Sequence, residues 1–293
     1  MKYIDKHPII MIVVGVIGIS MSSIFVKYSA APSAVTAAYR LLWTILLMSP
    51  VTFGNREIRQ ELLHVSRKNF LLSVVSGVFL AFHFTLWFES LNHTSVASST
   101  TIVCTEVIWV SLGYALFLKG RIGLKAVLAI AVTLVGSVLI AFADSSAGGA
   151  YLYGDMLSLL AAIAVAAYVL LGRVVRETVS TTVYTFIVYS SCAAMLLIIC
   201  LVQQNSLLGY GVSGIAVGLL LAVFSTILGH SIFSWGLKYF SPSFVSASKL
   251  CEPVVAAILA SFLFGESPAA MQLLGGALIL GGVFYYSRLE TDK

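Results

Sequence analysis

The sequence predicts an all-α polytopic membrane protein: ten transmembrane helices arranged as two inverted five-helix repeats within one transmembrane domain. Three observations carry this. Of 293 residues 59% are apolar and only 10% charged, against about 25% charged in an ordinary soluble domain. The apolar residues come in runs of bilayer length, and the chain matches itself at an offset of 146 positions. A mean hydropathy of +1.01 excludes a soluble globule, because too few charges remain to cover its surface.

A hydrocarbon core of about 30 Å needs about 20 apolar residues per helix. That ruler marks spans at 9–28, 33–53, 70–90, 95–118, 122–142, 152–174, 180–201, 212–237, 242–264 and 268–287. The first run follows Lys2, Asp5 and Lys6 and resembles a secretory leader. It lacks an A-x-A cleavage site before further spans, so it reads as the first helix. Pro32, Pro50, Pro242 and Pro268 fall at proposed span edges, where a missing backbone donor is tolerated. The small-residue stretch from Ser145 to Gly149 forms a turn between the fifth and sixth spans.

Basic residues set the orientation. With the N-terminus in the cytoplasm, every lysine and arginine except Lys27, Arg40 and Lys249 lies at the inner side. Bias this one-sided follows the positive-inside rule and supports the helix count, since one span more or fewer would scramble it. Both termini are therefore expected inside, in an inner or plasma membrane. The net charge of +5 is accounted for by topology and gives no sign of nucleic-acid binding. Cys104, Cys192, Cys200 and Cys251 lie in apolar runs without metal or redox spacing, so they read as buried thiols. No cofactor and no metal are expected.

At the 146-residue offset, Lys27 falls on Arg173, Leu91 on Leu237, Ser95 on Ser241, Glu106 on Glu252 and Gly136 on Gly282. Apolar matches arise by chance, so the charges and glycines carry the comparison. The halves are 1–146 and 147–293. Each holds five spans, an odd number, so the second enters the membrane in the opposite sense. Inverted repeats of this kind build transporters, with substrate near the midplane between the halves and rocking that exposes it to each side in turn.

The run EPVVAAILASFLFGE from Glu252 to Glu266 resembles the ninth-helix signature of EamA-type members of the drug/metabolite transporter superfamily. TSVASS from Thr94 to Ser99, preceded by Trp87 and Leu91, resembles the corresponding third-to-fourth helix region of the first EamA repeat. AYRLL from Ala38 to Leu42 resembles the family's second-helix arginine region. The resemblance covers essentially the whole chain. It implies ten helices and export or exchange of small metabolites, often amino acids or their derivatives, without ATP hydrolysis. Two departures stand out. Val107 occupies the place of Pro253, so the two central helices need not bend alike; and Leu118 to Arg121 is basic where Phe264 to Glu266 is acidic.

Ionisable residues inside a membrane are expensive and usually face a cavity or a partner. Glu106 and Glu252 lie near the middle of the fourth and ninth spans and are related by the repeat. Either could carry a proton or oppose a substrate amine; the alternative is a structural ion pair or a bonded protonated carboxyl. Lys249 precedes Glu252 by three residues, so pairing is easy, although it could instead receive a substrate carboxylate. His83 and His230 fall one residue away from repeat equivalence and are packing residues or proton and substrate contacts. Trp87 shares a helix face with His83. Trp235 follows His230 by five residues, and both tryptophans are cavity walls or interfacial anchors. Arg40, seven residues into its span, requires a partner. Glu89, near the outer face, reads as solvated. Gly275, Gly276, Gly281 and Gly282 give the tenth span a smooth face for internal packing or for a homodimer contact.

The expected partners are a small-molecule substrate, protons in some transport modes, and the lipid bilayer, with the chain a monomer or a homodimer. Amino acids, amines, nucleosides and amphipathic drugs all remain open as substrates. A channel, a receptor and an intramembrane enzyme are the rival classes. H-E-x-x-H, G-x-S-x-G and Walker A sequences are all missing, which counts against hydrolysis and primary ATP-driven transport.

Overall fold

The computed structural model describes residues 8–94, 96–144, 152–252, 254–255 and 270–291. Among them the secondary structure is helical, with no strand. A backbone in lipid must satisfy its own hydrogen bonds, and a helix does so within one segment.

In chain order the elements are α1 (Pro8–Lys27), α2 (Ser33–Gly54), α3 (Arg67–His93), α4 (Val96–Cys104 continuing as Glu106–Phe117) and α5 (Leu124–Asp144). Then come α6 (Leu152–Val175), α7 (Thr181–Val202), α8 (Gly211–Gly236), α9 (beginning as Pro242–Ser248) and α10 (Ala270–Thr291). Among the described residues six of these, α1, α2, α3, α6, α7 and α8, are long and apolar enough to cross a membrane. A short surface helix, Arg56–Leu63, joins α2 to α3.

Local chemistry explains the boundaries. Ser66, Ser180 and Ser241 cap α3, α7 and α9, each hydroxyl accepting from the third amide onward, the usual serine N-cap bond. Pro242 takes the first helical position of α9, where its missing N–H matters least. Pro50 departs from expectation: it lies inside α2, which runs on to Gly54, rather than at the helix edge. The Ser145–Gly149 turn, Pro253, Pro268 and the Phe264–Glu266 helix end lie outside the described residues.

Packing repeats at the same offset as the sequence. α3 lies along α6 and α7, as α8 lies along α1 and α2, while α2 meets α7 and α5 meets α10. The Lys27 ammonium donates to the Leu91 carbonyl at 3.1 Å, and its counterpart Arg173 donates to the Leu237 carbonyl. Where α5 crosses α10, a Cβ added at Gly136 would stand 2.6 Å from the Gly275 carbonyl oxygen and 2.8 Å from Ile279. One added at Gly282 would stand 3.1 Å from the Ala129 carbonyl oxygen and 2.5 Å from Thr133. Each residue in the second contact is the repeat counterpart of one in the first. The expected glycine face therefore packs internally at Gly275 and Gly282, close enough for backbone-to-backbone contact. Gly281 has open space around it.

Gly136→Leu forces backbone apart, because the obstructing atoms are a carbonyl and a helix amide that cannot rotate away. Overpacking costs about 1–3 kcal/mol, so its thermal midpoint in detergent falls clearly below wild type, whereas Gly281→Leu melts with the wild type. Equal midpoints for Gly136→Leu and wild type would refute the tight crossing.

Candidate functional site

A cavity lies at the centre of the bundle. Both halves line it: Ser22 from α1, Arg40 from α2, His83 and Trp87 from α3, and Glu106 from α4 meet Val165 from α6, His230 from α8, and Lys249 and Glu252 from α9.

The two central helices lose α-helical regularity just before their glutamates. In α4 the break is at Thr105, whose amide bonds Ile102 and whose carbonyl accepts from Ile108, both three residues away. The Thr105 hydroxyl also back-bonds to Ile102 at 2.6 Å. In α9 the 3₁₀ turn Lys249–Cys251 falls at the repeat-equivalent place, and backbone of α geometry resumes at Glu252. Glu106 thus opens a half-helix, where the positive end of the helix dipole favours a carboxylate. Both helices deviate here although only one carries a proline at the following position.

The central polar contact joins these helices. The Lys249 ammonium donates to Glu106 Oε1 at 2.8 Å, with both side chains only 6% exposed. The Lys249–Glu252 pairing that three-residue spacing suggests is therefore not the one formed. The facing helix brings a carboxylate within bonding distance of the ammonium, which spacing along one helix cannot reveal. Glu252 is also buried, and its Oε1 has no partner among the described residues.

Arg40 is fully buried, and the partner expected for it is a hydroxyl. Nε donates to Thr226 at 2.7 Å, Nη1 makes a long 3.5 Å contact with Ser22, and Nη2 has none. Its guanidinium carbon lies 4.1 Å from the centre of the Phe84 ring, a cation–π contact. His83 Nδ1 lies 3.1 Å from the Ala161 carbonyl, so that nitrogen carries a hydrogen and donates it. The ring stacks on Trp87 at 6.0 Å and approaches His230 at 6.3 Å.

His230 ends a π-helical stretch, Leu221–His230, a wider winding that recurs at functional sites. The same stretch supplies Thr226 to Arg40. Tyr168, packed against His230 and bonded to Ser234 at 2.8 Å, backs this wall.

Of the eight residues expected at the site, seven line the cavity. Trp235 does not: it is partly exposed and packs on Tyr239 at 4.5 Å, because five residues carry it off the face of His230. Glu89 is partly exposed beside His93. Thr226, Ser22, Phe84 and Tyr168 escaped the sequence reading, since single hydroxyls and aromatics in apolar runs carry no pattern.

The model of the EamA-like transporter family matches the chain twice, over residues 7–142 and 152–288. The chain belongs to the EamA-like transporter family. It is a multi-pass membrane protein, and membership implies a small-molecule substrate. Relatives agree with this assignment. Bacillus subtilis (strain 168) proteins described as uncharacterized transporters YxxF and YyaM are 22% and 26% identical to it. The YxxF match spans 95% of this chain and 87% of that protein; the YyaM match spans 86% and 83%. A solved crystal structure at 16% identity shares the fold, with a TM-score of 0.78 over 98% of both chains.

Breaking a buried ion pair by removing one partner costs about 3–5 kcal/mol, whereas removing both costs much less. Glu106→Gln and Lys249→Met therefore each lower the thermal midpoint, and the double variant recovers most of the loss. A double variant as unstable as the two losses added together would rule out direct pairing.

Proposed function

We propose that this EamA-like transporter is a secondary transporter that exports or exchanges small polar metabolites, amino acids foremost, by alternating access. In this reading the chain crosses an inner or plasma membrane ten times as two inverted five-helix repeats, with both termini in the cytoplasm. The observation that carries it is the central cavity, which both halves line and which holds charges of both signs. Recurrence of packing at the 146-residue offset supports two halves that rock about it. The charge of the basic residues favours cytoplasmic termini.

An amino acid carries both charges, and a cavity with buried cations and carboxylates suits it better than it suits a simple amine or an uncharged nucleoside. In the same reading Glu252 opposes the substrate ammonium, because its Oε1 has unused acceptor capacity.

Purified protein in liposomes tests this by labelled-metabolite counterflow and by currents on a solid-supported membrane. The panel is amino acids, amines and nucleosides, each with and without a pH gradient. Saturable counterflow of an amino acid, lost in Glu252→Gln while that variant still folds, is the expected result. Flux that rises without saturation and shows no counterflow would mark a channel instead.

A further inference from the structure

We propose that Arg40 is the carboxylate receptor of the cavity, and that it and Glu252 hold opposite ends of a zwitterionic substrate. This rests on the transport reading above and adds the substrate's orientation and the group that selects for its acid end.

Four cavity-lining side chains have a buried polar atom without a partner among the described residues: Arg40 Nη2, Trp87 Nε1, His230 Nδ1 and Glu252 Oε1. Lys249 and Glu106 neutralise one another, so among the described residues the cavity-lining cation without a carboxylate is Arg40. Its exposure is 0%, and a buried guanidinium is ordinarily matched by a carboxylate. Here Nε is taken by a neutral hydroxyl and one face by an aromatic ring. The remaining edge, Nη1 and Nη2, has only the long Ser22 contact. Arg40 and Glu252 line one cavity, yet among the described residues the buried ion pair is Lys249–Glu106 and Arg40 joins no pair. Two opposite charges that line one cavity without pairing are what a molecule with both charges would bridge.

A carboxylate matches the guanidinium edge in shape, because two parallel N–H donors meet two oxygens. Trp87 Nε1 is a second unmet donor in the same cavity, and an indole N–H can only donate. At the other end Glu252 Oε1 can only accept while ionised and so suits an ammonium. Lys249, the first candidate for the acid end on sequence grounds, is occupied by Glu106.

Ligand binding to the full-length protein in detergent, read by thermal shift and calorimetry, tests the assignment. The panel is the common amino acids, each compared with its decarboxylated amine and its deaminated acid. In wild type, the amino acids that bind do so at least about tenfold more tightly than their amines, the size expected for a charge-assisted contact. Arg40→Gln reduces amino-acid affinity to that of the amine and leaves amine affinity unchanged. Arg40→Lys retains part of the difference. Amines binding as tightly as amino acids to wild type, no carboxylate binding at all, or Arg40→Gln binding amino acids as wild type does would each overturn it. Should Arg40→Gln fail to fold, the wild-type comparison decides alone. Carboxylate binding without flux in liposomes would defeat the transport reading and leave the Arg40 assignment standing.

Discussion

Removing an ion from water costs several kcal/mol even after the protein relaxes around it, and the middle of this bundle is organised by that cost. Four buried acidic and basic side chains, Arg40, Glu106, Lys249 and Glu252, come from three helices and meet at one cavity beside two histidines. Two of them neutralise each other between α4 and α9. The other two lean on hydroxyls, aromatic rings and the cavity itself. The irregular windings lie where these groups are: the Thr105 break, the 3₁₀ turn before Glu252 and the π stretch ending at His230. Away from the cavity, at the α5–α10 crossing, small residues set the helix spacing.

The double match to one family model explains why one solution appears twice. Lys27 and Arg173 fasten equivalent helix ends, and the glycine contacts of α5 and α10 are copies of each other. Departures from the symmetry gather at the cavity. Arg40 has no charged counterpart, since Phe186 stands at its repeat position. α8 contains a π stretch where α3 is continuously α-helical.

Much of this was legible in the sequence. Helix positions follow from hydropathy because lipid allows a single local solution, and α1, α2, α6 and α7 run within about two residues of the expected spans. Seven of the eight expected residues line the cavity, six of them for a related reason: a charge or histidine in an apolar run must go somewhere polar. Who pairs with whom was not legible. Lys249 could reach Glu252 along its own helix or Glu106 on the next, and only the distance between helices decides. Trp235 was misplaced because five residues along a helix do not fix a face. Thr226 and Ser22 were invisible, since a hydroxyl within a span more often bonds its own helix, as Thr44 and Ser49 do with the carbonyls four residues earlier.

The α5–α10 crossing bears on how such a chain is held together. Glycines at Gly136, Gly275 and Gly282 let backbone meet backbone there, and further contacts join α3 to α6, α1 to α8 and α2 to α7. All of these join residues up to Asp144 to residues from Leu152 onward. The boundary between the two matched segments thus has the character of a subunit interface, one that two separately translated polypeptides could rebuild by association within the bilayer.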